Sequence, residues 1–292
     1  MDPFGVLVFL LLGMLNGVVY AMLLFLLSSG LTVVFGMLGV LNIAHASFYM
    51  LGAFFAYSLV QWTGSFWAAL LLAPVAVGGL GVLVERFLLR KAHQFGHSHE
   101  LLLTFGLAYI ILEIVKWIWG TGSHPMNAPV RLDESLPILG QVYPTYRLFI
   151  CALGLCVLVA LGLLLFRTRL GMIVRAAVSD FSMVDALGFN VRALFVGVFG
   201  VGAGLAGLAG VIAAPLLSVY PGMGSDMLVD TFIVVVVGGL GSLKGALIAS
   251  FILGELQSFG VLIIPRLAMI FSFLLMTLVL IWRPMGLFGE RV

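Results

Sequence analysis

The sequence predicts an all-α, polytopic integral membrane protein with roughly eight to ten transmembrane segments, some of them broken or folded back. Three observations predict it. Of 292 residues, 63% are hydrophobic and only 9% charged, against roughly 45–50% and about 25% in a soluble domain. Between Asp2 and Glu85 there is no Asp, Glu, Lys or Arg, a run of 82 residues that no soluble fold hides. The apolar runs also recur at spanning length, roughly 20 residues at ~1.5 Å rise each. These features exclude a secreted or disordered chain. The net charge of +2 leaves no basic surface for nucleic acid. Residues 1–292 read as a single membrane domain.

The spans follow in order. Residues 4–27 form the first. The apolar start has no positively charged n-region and runs far past any signal-peptide h-region, so it reads as a retained membrane segment. Residues 28–60, 66–84, 101–119, 148–166, 193–214, 231–264 and 267–282 complete the set. Two of these, 28–60 and 231–264, are too long for one span and short for two. Both carry glycines and a polar residue near the middle, so each reads as a broken or tightly folded-back pair. They also resemble each other. A shift of 202 positions lays residues 33–53 over 235–255 with nine of 21 positions identical, including Gly36, Gly39 and Gly52. Paired, Gly-interrupted segments in two halves of a chain point to a translocation region. The candidate breaks are Gly36, Gly39, Gly238, Gly239, Gly241 and Ser242.

Orientation follows from Lys and Arg in short loops. Arg167, Arg169, Arg175 and Arg192 place 167–192 in the cytoplasm. Counting back, 121–146 is external, and 85–100, with Arg86, Arg90 and Lys91, is cytoplasmic. Trp117 and Trp119 mark an outer aromatic belt. If both long stretches fold back, Arg283 is cytoplasmic too.

Few residues offer chemistry. Asn42 and His45 are three apart, on one helical face, with Ser47 beyond them. At membrane depth they either line a substrate path or bond neighbouring helices together. The run Gly238-Gly-Leu-Gly241-Ser-Leu-Lys244-Gly245 is not a phosphate loop, because Leu243 and Gly245 flank the lysine where Gly and Ser or Thr are needed. It reads as a flexible turn with Lys244 snorkelling to the interface. Residues 175–188 read as one short amphipathic cytoplasmic helix. Ala176, Val184 and Leu187 lie near one face, Asp180 and Asp185 project elsewhere, and Gly188 forms a left-handed cap. Such a helix either docks into a soluble partner or is a solvated loop. Gly200, Gly204 and Gly207 form a small-residue face for close helix packing. Cys151 and Cys156 read as packing residues. His93, His97 and His99 beside Glu100 read as a solvated, pH-sensitive loop rather than a metal site. No hydrolase triad or zinc-protease motif is present, so the chain is not expected to be an enzyme, and it needs neither metal nor cofactor.

The run Gly30-Leu-Thr-Val-Val-Phe-Gly36-Met-Leu-Gly-Val-Leu-Asn42-Ile-Ala-His45 resembles the amino-terminal signature of LivH-type permeases, subunits of bacterial ABC importers for branched-chain amino acids. Leu103-Thr-Phe-Gly106, the 175–188 loop, Val237-Gly-Gly-Leu-Gly-Ser242 and the ending Arg283-Pro-Met-Gly-Leu-Phe-Gly289 match as well, so the resemblance covers nearly the whole chain. It implies a multi-pass permease in the bacterial inner membrane. Its partners would be a LivM-type permease (or a second copy of this chain), two cytoplasmic ATPases that bind the ATP, and a periplasmic solute-binding protein. By the same resemblance, Arg175, Ala176, Asp180, Asp185, Leu187 and Gly188 lie in the loop that contacts an ATPase. Where the family usually has Gly then Glu after the histidine, this chain has Ala46 and Ser47 and so lacks a buried carboxylate. Branched-chain amino acids, urea, short amides and aromatic acids are the substrates such relatives carry. From the residues alone, a stand-alone secondary transporter and a channel are the other classes.

The topology has a direct check. A single cysteine introduced as Asp180→Cys should react with a membrane-impermeant thiol reagent only after the cells are permeabilised. Ready labelling from outside would invert the orientation.

Overall fold

The computed structural model describes residues 3–39, 41–138 and 140–289. Helix α1, Pro3–Leu38, is 36 residues long, about 54 Å at 1.5 Å per residue. The sequence reading divided this stretch after Leu27, and the structure corrects it. Ser28 and Ser29 return their hydroxyls to the carbonyls of Phe25 (3.4 Å) and Leu26 (2.9 Å). Their polarity is satisfied within the helix and marks no break. The break comes at Gly39, whose φ of +68° suits glycine. Residues 28–60 are therefore not a separate hairpin. Their first part completes α1 and their last part belongs to α2, His45–Thr63.

Gly64, with φ +66°, closes α2 by donating to the Val60 carbonyl, and Ser65 caps the next helix by accepting from the Ala68 N–H. Helix α3, Phe66–Val84, runs into a π-helical turn (Glu85–Leu89), a single turn α4 (Arg90–Ala92) and a 3₁₀ turn (His93–Phe95). Helix α5, His97–Trp119, follows. The Pro-rich external segment contains a small antiparallel hairpin, β1 (Ser135–Ile138) with β2 (Gln141–Pro144), registered with Ser135 opposite Pro144. This two-stranded element is a departure from helix that the sequence reading did not foresee. Helices α6 (Thr145–Arg167), α7 (Arg169–Ser179), α8 (Phe181–Ala186), α9 (Val191–Leu217), α10 (Met223–Gly238), α11 (Leu243–Ile263) and α12 (Ala268–Trp282) complete the chain.

Six helices, namely α1, α3 with its extension, α5, α6, α9 and α11, are long and apolar enough to cross a membrane. Helices α2 and α10 pack against them, and α12 contributes a shorter apolar helix, Ile270–Trp282. One end of the bundle gathers the hairpin, the α2–α3 turn and the α9–α10 link; there His124 and Val219 exchange backbone hydrogen bonds at 2.8 and 2.9 Å. Asn16 of α1 accepts hydrogen bonds from Tyr143 and Arg147 at this end, which places the first half of α1 beside the hairpin. The opposite end holds the 85–100 connector and helices α7 and α8.

Helix α9 sits at the centre, against α1, α2 and α3. Between apolar helices in lipid, association relies on close packing rather than on the hydrophobic effect, and small residues supply it. A Cβ on Gly202 would come 2.9 Å from the Gly30 carbonyl, one on Gly204 3.3 Å from the Pro74 carbonyl, and one on Gly207 2.9 Å from Val77. A Cβ on Gly210 would run into the Tyr49 carbonyl. Helix α11 approaches α1 in the same way, with Gly254 against the carbonyl of Gly17 (2.6 Å) and Ala21. Gly210→Leu should therefore lower the thermal stability of the purified protein, by about 1–3 kcal/mol from overpacking. Gly197→Ala, with nothing within 4 Å of the added methyl, should be neutral or slightly stabilising. Thermal unfolding in one detergent compares the two.

Candidate functional site

The two helix breaks meet in space. Helix α10 ends at Gly239 (φ +103°), Gly241 follows with φ +82°, and Ser242 caps α11 by accepting from the Gly245 N–H. Under the 202-residue shift Gly241 corresponds to Gly39, and both have positive φ. A Cβ on Gly36 would lie 3.3 Å from the Cα of Gly241, so α1 approaches the second break with no side chain between them. The carbonyls of Val237 and Gly238, freed where α10 stops, accept from the N–H groups of Leu287 (2.8 Å) and Phe288 (3.0 Å). The Arg283–Gly289 segment thus closes the end of α10.

The polar residues near the first break are placed differently from the sequence expectation. Asn42 and His45 do not share a helical face, because α2 begins only at His45. Asn42 lies in the break, where its side-chain oxygen accepts from the Ala44 N–H at 3.0 Å, a local bond that competes with helix formation. Its amide nitrogen is buried with no hydrogen-bond partner among the described residues. The ring of His45 is wholly buried and its Nε2 lies 3.0 Å from the Leu27 carbonyl, tying α2 to α1. Ser47 is buried two residues further on. Thr104 of α5 accepts from the Ile43 N–H at 3.3 Å, fastening the break from a third side.

Residues 175–188 are two helices rather than one. Asp180 has extended backbone (φ −150°, ψ 95°), and its carboxylate accepts from the Met183 N–H at 2.9 Å. It ends α7 and caps α8, which is why a single amphipathic helix fails here. The buried face is also not the one expected. Ala177 and Val184 pack with Val191 and Met37, while Ala176 is exposed and Leu187 is 67% exposed. Asp185 is exposed. Gly188 has φ +87°, and its N–H donates to the Asp185 carbonyl. Arg175 stacks over Phe166 at 5.1 Å.

Two groupings escaped the sequence reading. The cytoplasmic histidine segment is not a solvated loop. Glu85 (1% exposed) and Glu100 (3%) are buried and converge on His93, with Nδ1 2.6 Å from Glu100 Oε1 and Nε2 3.1 Å from Glu85 Oε1. Both ring nitrogens face carboxylate oxygens, the geometry of a doubly protonated ring donating twice. The second grouping lies at the external end, where Tyr20 and Tyr220 donate to Asp230 and Asp226 of α10. Burial, then the bond to Asp226, pushes the Tyr220 phenol up to about 12. Sequence signals existed for both: Glu85 ends the long charge-free run, and Asp226 and Asp230 are the two acids within α10. Among the described residues, no group of three or more His, Cys, Asp or Glu is arranged to hold a metal ion.

A family profile described as "Branched-chain amino acid transport system / permease component" matches residues 13–280. The chain belongs to this family. The permease is 27% identical to the high-affinity branched-chain amino acid transport system permease protein BraD of Pseudomonas aeruginosa, over 95% of each chain. It is 26% identical to LivH of Escherichia coli (strain K12), over 95% of this chain and 94% of that one. It is 28% identical to a probable LivH of Methanocaldococcus jannaschii, over 83% and 78%. No solved structure matches significantly. The permease is thus a multi-pass inner-membrane component of a transport system, with the all-α fold and the family that its sequence indicated.

The His93 bridge can be tested through its burial. His93→Ala leaves two buried carboxylates facing each other and should cost about 3 kcal/mol or more. Adding Glu85→Gln and Glu100→Gln should recover most of it, as read by thermal unfolding.

Proposed function

We propose that this permease carries branched-chain amino acids inward as one of two membrane subunits of an ABC importer. The supporting comparisons are the family match and relatives whose printed names specify that transport. The observation that carries the ATP-driven part of the reading is the surface of α7 and α8. Ala177 and Val184 hold this pair to the bundle, yet Val178, Met183 and Leu187 stand 49%, 60% and 67% exposed beyond the cytoplasmic ends of the spans. Apolar side chains facing water suit a groove on a soluble protein. In this reading Arg175, Ala176, Asp180, Asp185, Leu187 and Gly188 lie in or beside the contact with a cytoplasmic ATPase. Two such ATPases bind and hydrolyse the ATP, so the permease needs no cofactor of its own.

The second membrane subunit is a LivM-type permease or another copy of this chain, and a periplasmic binding protein delivers the substrate. The whole chain works as one domain. Closure of the ATPases moves α7 and α8, and with them α9 and α1. The breaks at Gly39 and Gly239–Ser242, which meet where Gly36 of α1 packs on Gly241, absorb the change in helix direction, since glycines with positive φ cross backbone angles closed to other residues; Gly36 and Gly238, expected as breaks, are helical instead. Asn42, with its unsatisfied amide, lines the inner part of the path beside His45 and Ser47. Gly200, Gly204 and Gly207 keep α9 rigid against α2 and α3 during the movement.

Met183→Glu combined with Leu187→Glu places charge on the exposed face without touching Ala177 or Val184. The pair should insert at wild-type level but lose most ATPase copurification and uptake of labelled leucine. Undiminished copurification would remove the docking role.

A further inference from the structure

Residues 85–96 join α3 to α5 at the end of the bundle that carries α7 and α8, and Glu100 lies in the first turn of α5. The turn Glu85–Leu89 is π-helical, closed by the Arg90 N–H on the Glu85 carbonyl. Burial follows a spacing of four along it. Glu85 and Leu89 are buried, while Arg86 with Arg90 and Phe87 with Lys91 are exposed beside them. The two acids of the segment, Glu85 and Glu100, both turn inward onto His93. None of the described acids pairs with Arg86, Arg90 or Lys91. The fold therefore sorts the charges of this segment, with carboxylates inside and cations outside. Large apolar side chains stand among the cations. Phe87 is 55% exposed and Phe95 66%, and the Arg86 guanidinium lies over the Phe87 ring at 5.6 Å. The flanking helices face outward as well. Only 17% of the apolar stretch of α5 and 22% of that of α3 with its extension are buried inside the protein, against 56% for α9.

We propose that Arg86, Arg90 and Lys91 bind the phosphate groups of anionic phospholipids in the leaflet at the α7–α8 end, with Phe87, Leu88 and Phe95 set among the upper acyl chains. Three features select this occupant. The cations have no described acid as partner, and a phosphodiester supplies both a negative charge and the oxygens to which a guanidinium fork or an ammonium donates. The phenyl rings and Leu88 alternate with the cations, which suits the boundary between headgroups and acyl chains rather than an acidic protein surface in water. The patch also continues the outward faces of α3 and α5, which lipid covers in a membrane, so the headgroup layer lies at its level. A zwitterionic headgroup would bring its own ammonium against the cations. Each basic residue beside an anionic leaflet is worth about fivefold in partitioning. The His93 bridge protects that gain. With Glu85 and Glu100 exposed among them, the three cations would be largely cancelled. The site requires only a permease in a bilayer and is independent of which solute is carried.

The test places a single reporter in the patch. Gln94→Cys, at an exposed position next to Phe95, is made in a chain with Cys151 and Cys156 replaced by alanine and is labelled with bimane. The protein is held in phosphatidylcholine nanodiscs with increasing fractions of doxyl-labelled phosphatidylglycerol or doxyl-labelled phosphatidylcholine, the nitroxide near the glycerol in both. The phosphatidylglycerol quencher should reach half-maximal quenching at a mole fraction severalfold lower. Salt at about 1 M should shrink that difference. Arg86→Gln with Arg90→Gln and Lys91→Gln should remove it, whereas Lys116→Gln, whose ammonium is already paired with Glu113, should leave it intact. Equal quenching by the two lipids with Arg86, Arg90 and Lys91 in place would overturn the proposal, whether or not the triple variant folds. A preference that survives the triple substitution would also overturn it, by placing the anionic lipid elsewhere. The measurement is then repeated on the complete importer. A preference that persists there supports lipid as the occupant, and one that vanishes on assembly assigns the surface to a neighbouring subunit and overturns the proposal.

Discussion

A helix of a membrane protein can break only if its freed carbonyls and N–H groups find partners in the protein. Much of this structure is arranged around meeting that condition at two places. At the first break, the Asn42 side chain bonds the Ala44 N–H, and Thr104 bonds that of Ile43. At the second, Ser242 caps α11 and the N–H groups of Leu287 and Phe288 bond the last carbonyls of α10. Both breaks are thus satisfied by groups from outside the helix that ends, and each fixes the position of another element. Thr104 ties α5 to the first, and the segment after α12 is tied to the second.

The same economy of side chains brings the breaks together. Gly36 and Gly241 meet without side chains between them, and Gly202, Gly204 and Gly210 let α9 lie directly on the backbones of α1, α3 and α2. Where glycine faces glycine, a helix can slide or tilt without side chains having to change rotamer. Where bulky side chains interlock, as Phe48 does edge-to-face with Phe199 at 6.0 Å, the packing resists such motion. The permease combines both kinds of contact, and one of the smooth ones, Gly36 on Gly241, lies where the two breaks meet.

The legible parts of the sequence were those set by local backbone chemistry. Glycine at positive φ announced the breaks at Gly39 and Gly241 and the turn at Gly188. Lys and Arg in short loops gave an orientation in which the hairpin and the α7–α8 pair fall at opposite ends. Other local signals were open to two readings. Ser28 and Ser29 looked like a boundary, but a hydroxyl inside a helix can bond the preceding turn and leave the helix intact. Asp180 looked like a surface charge on a continuous helix, although an Asp three residues before Met183 is also a helix cap. The external acid and tyrosine cluster was out of reach for a different reason. Tyr20 and Asp230 are 210 residues apart in the chain, and no periodicity links side chains that only tertiary packing brings together. His93 with Glu85 and Glu100 is closer in sequence, but the burial of both acids depends on the π-helical turn after α3.

The order of the chain gives the closure at Val237 and Gly238 a consequence for biogenesis. Leu287 and Phe288 follow α12, so these donors for the two carbonyls do not exist until α12 has been made. During synthesis the tip of α10 must rely on water or the insertion machinery for hydrogen bonds. Completion of the second break is therefore a late event in maturation, and a nascent chain halted before that point would carry two unpaired carbonyls at the end of α10.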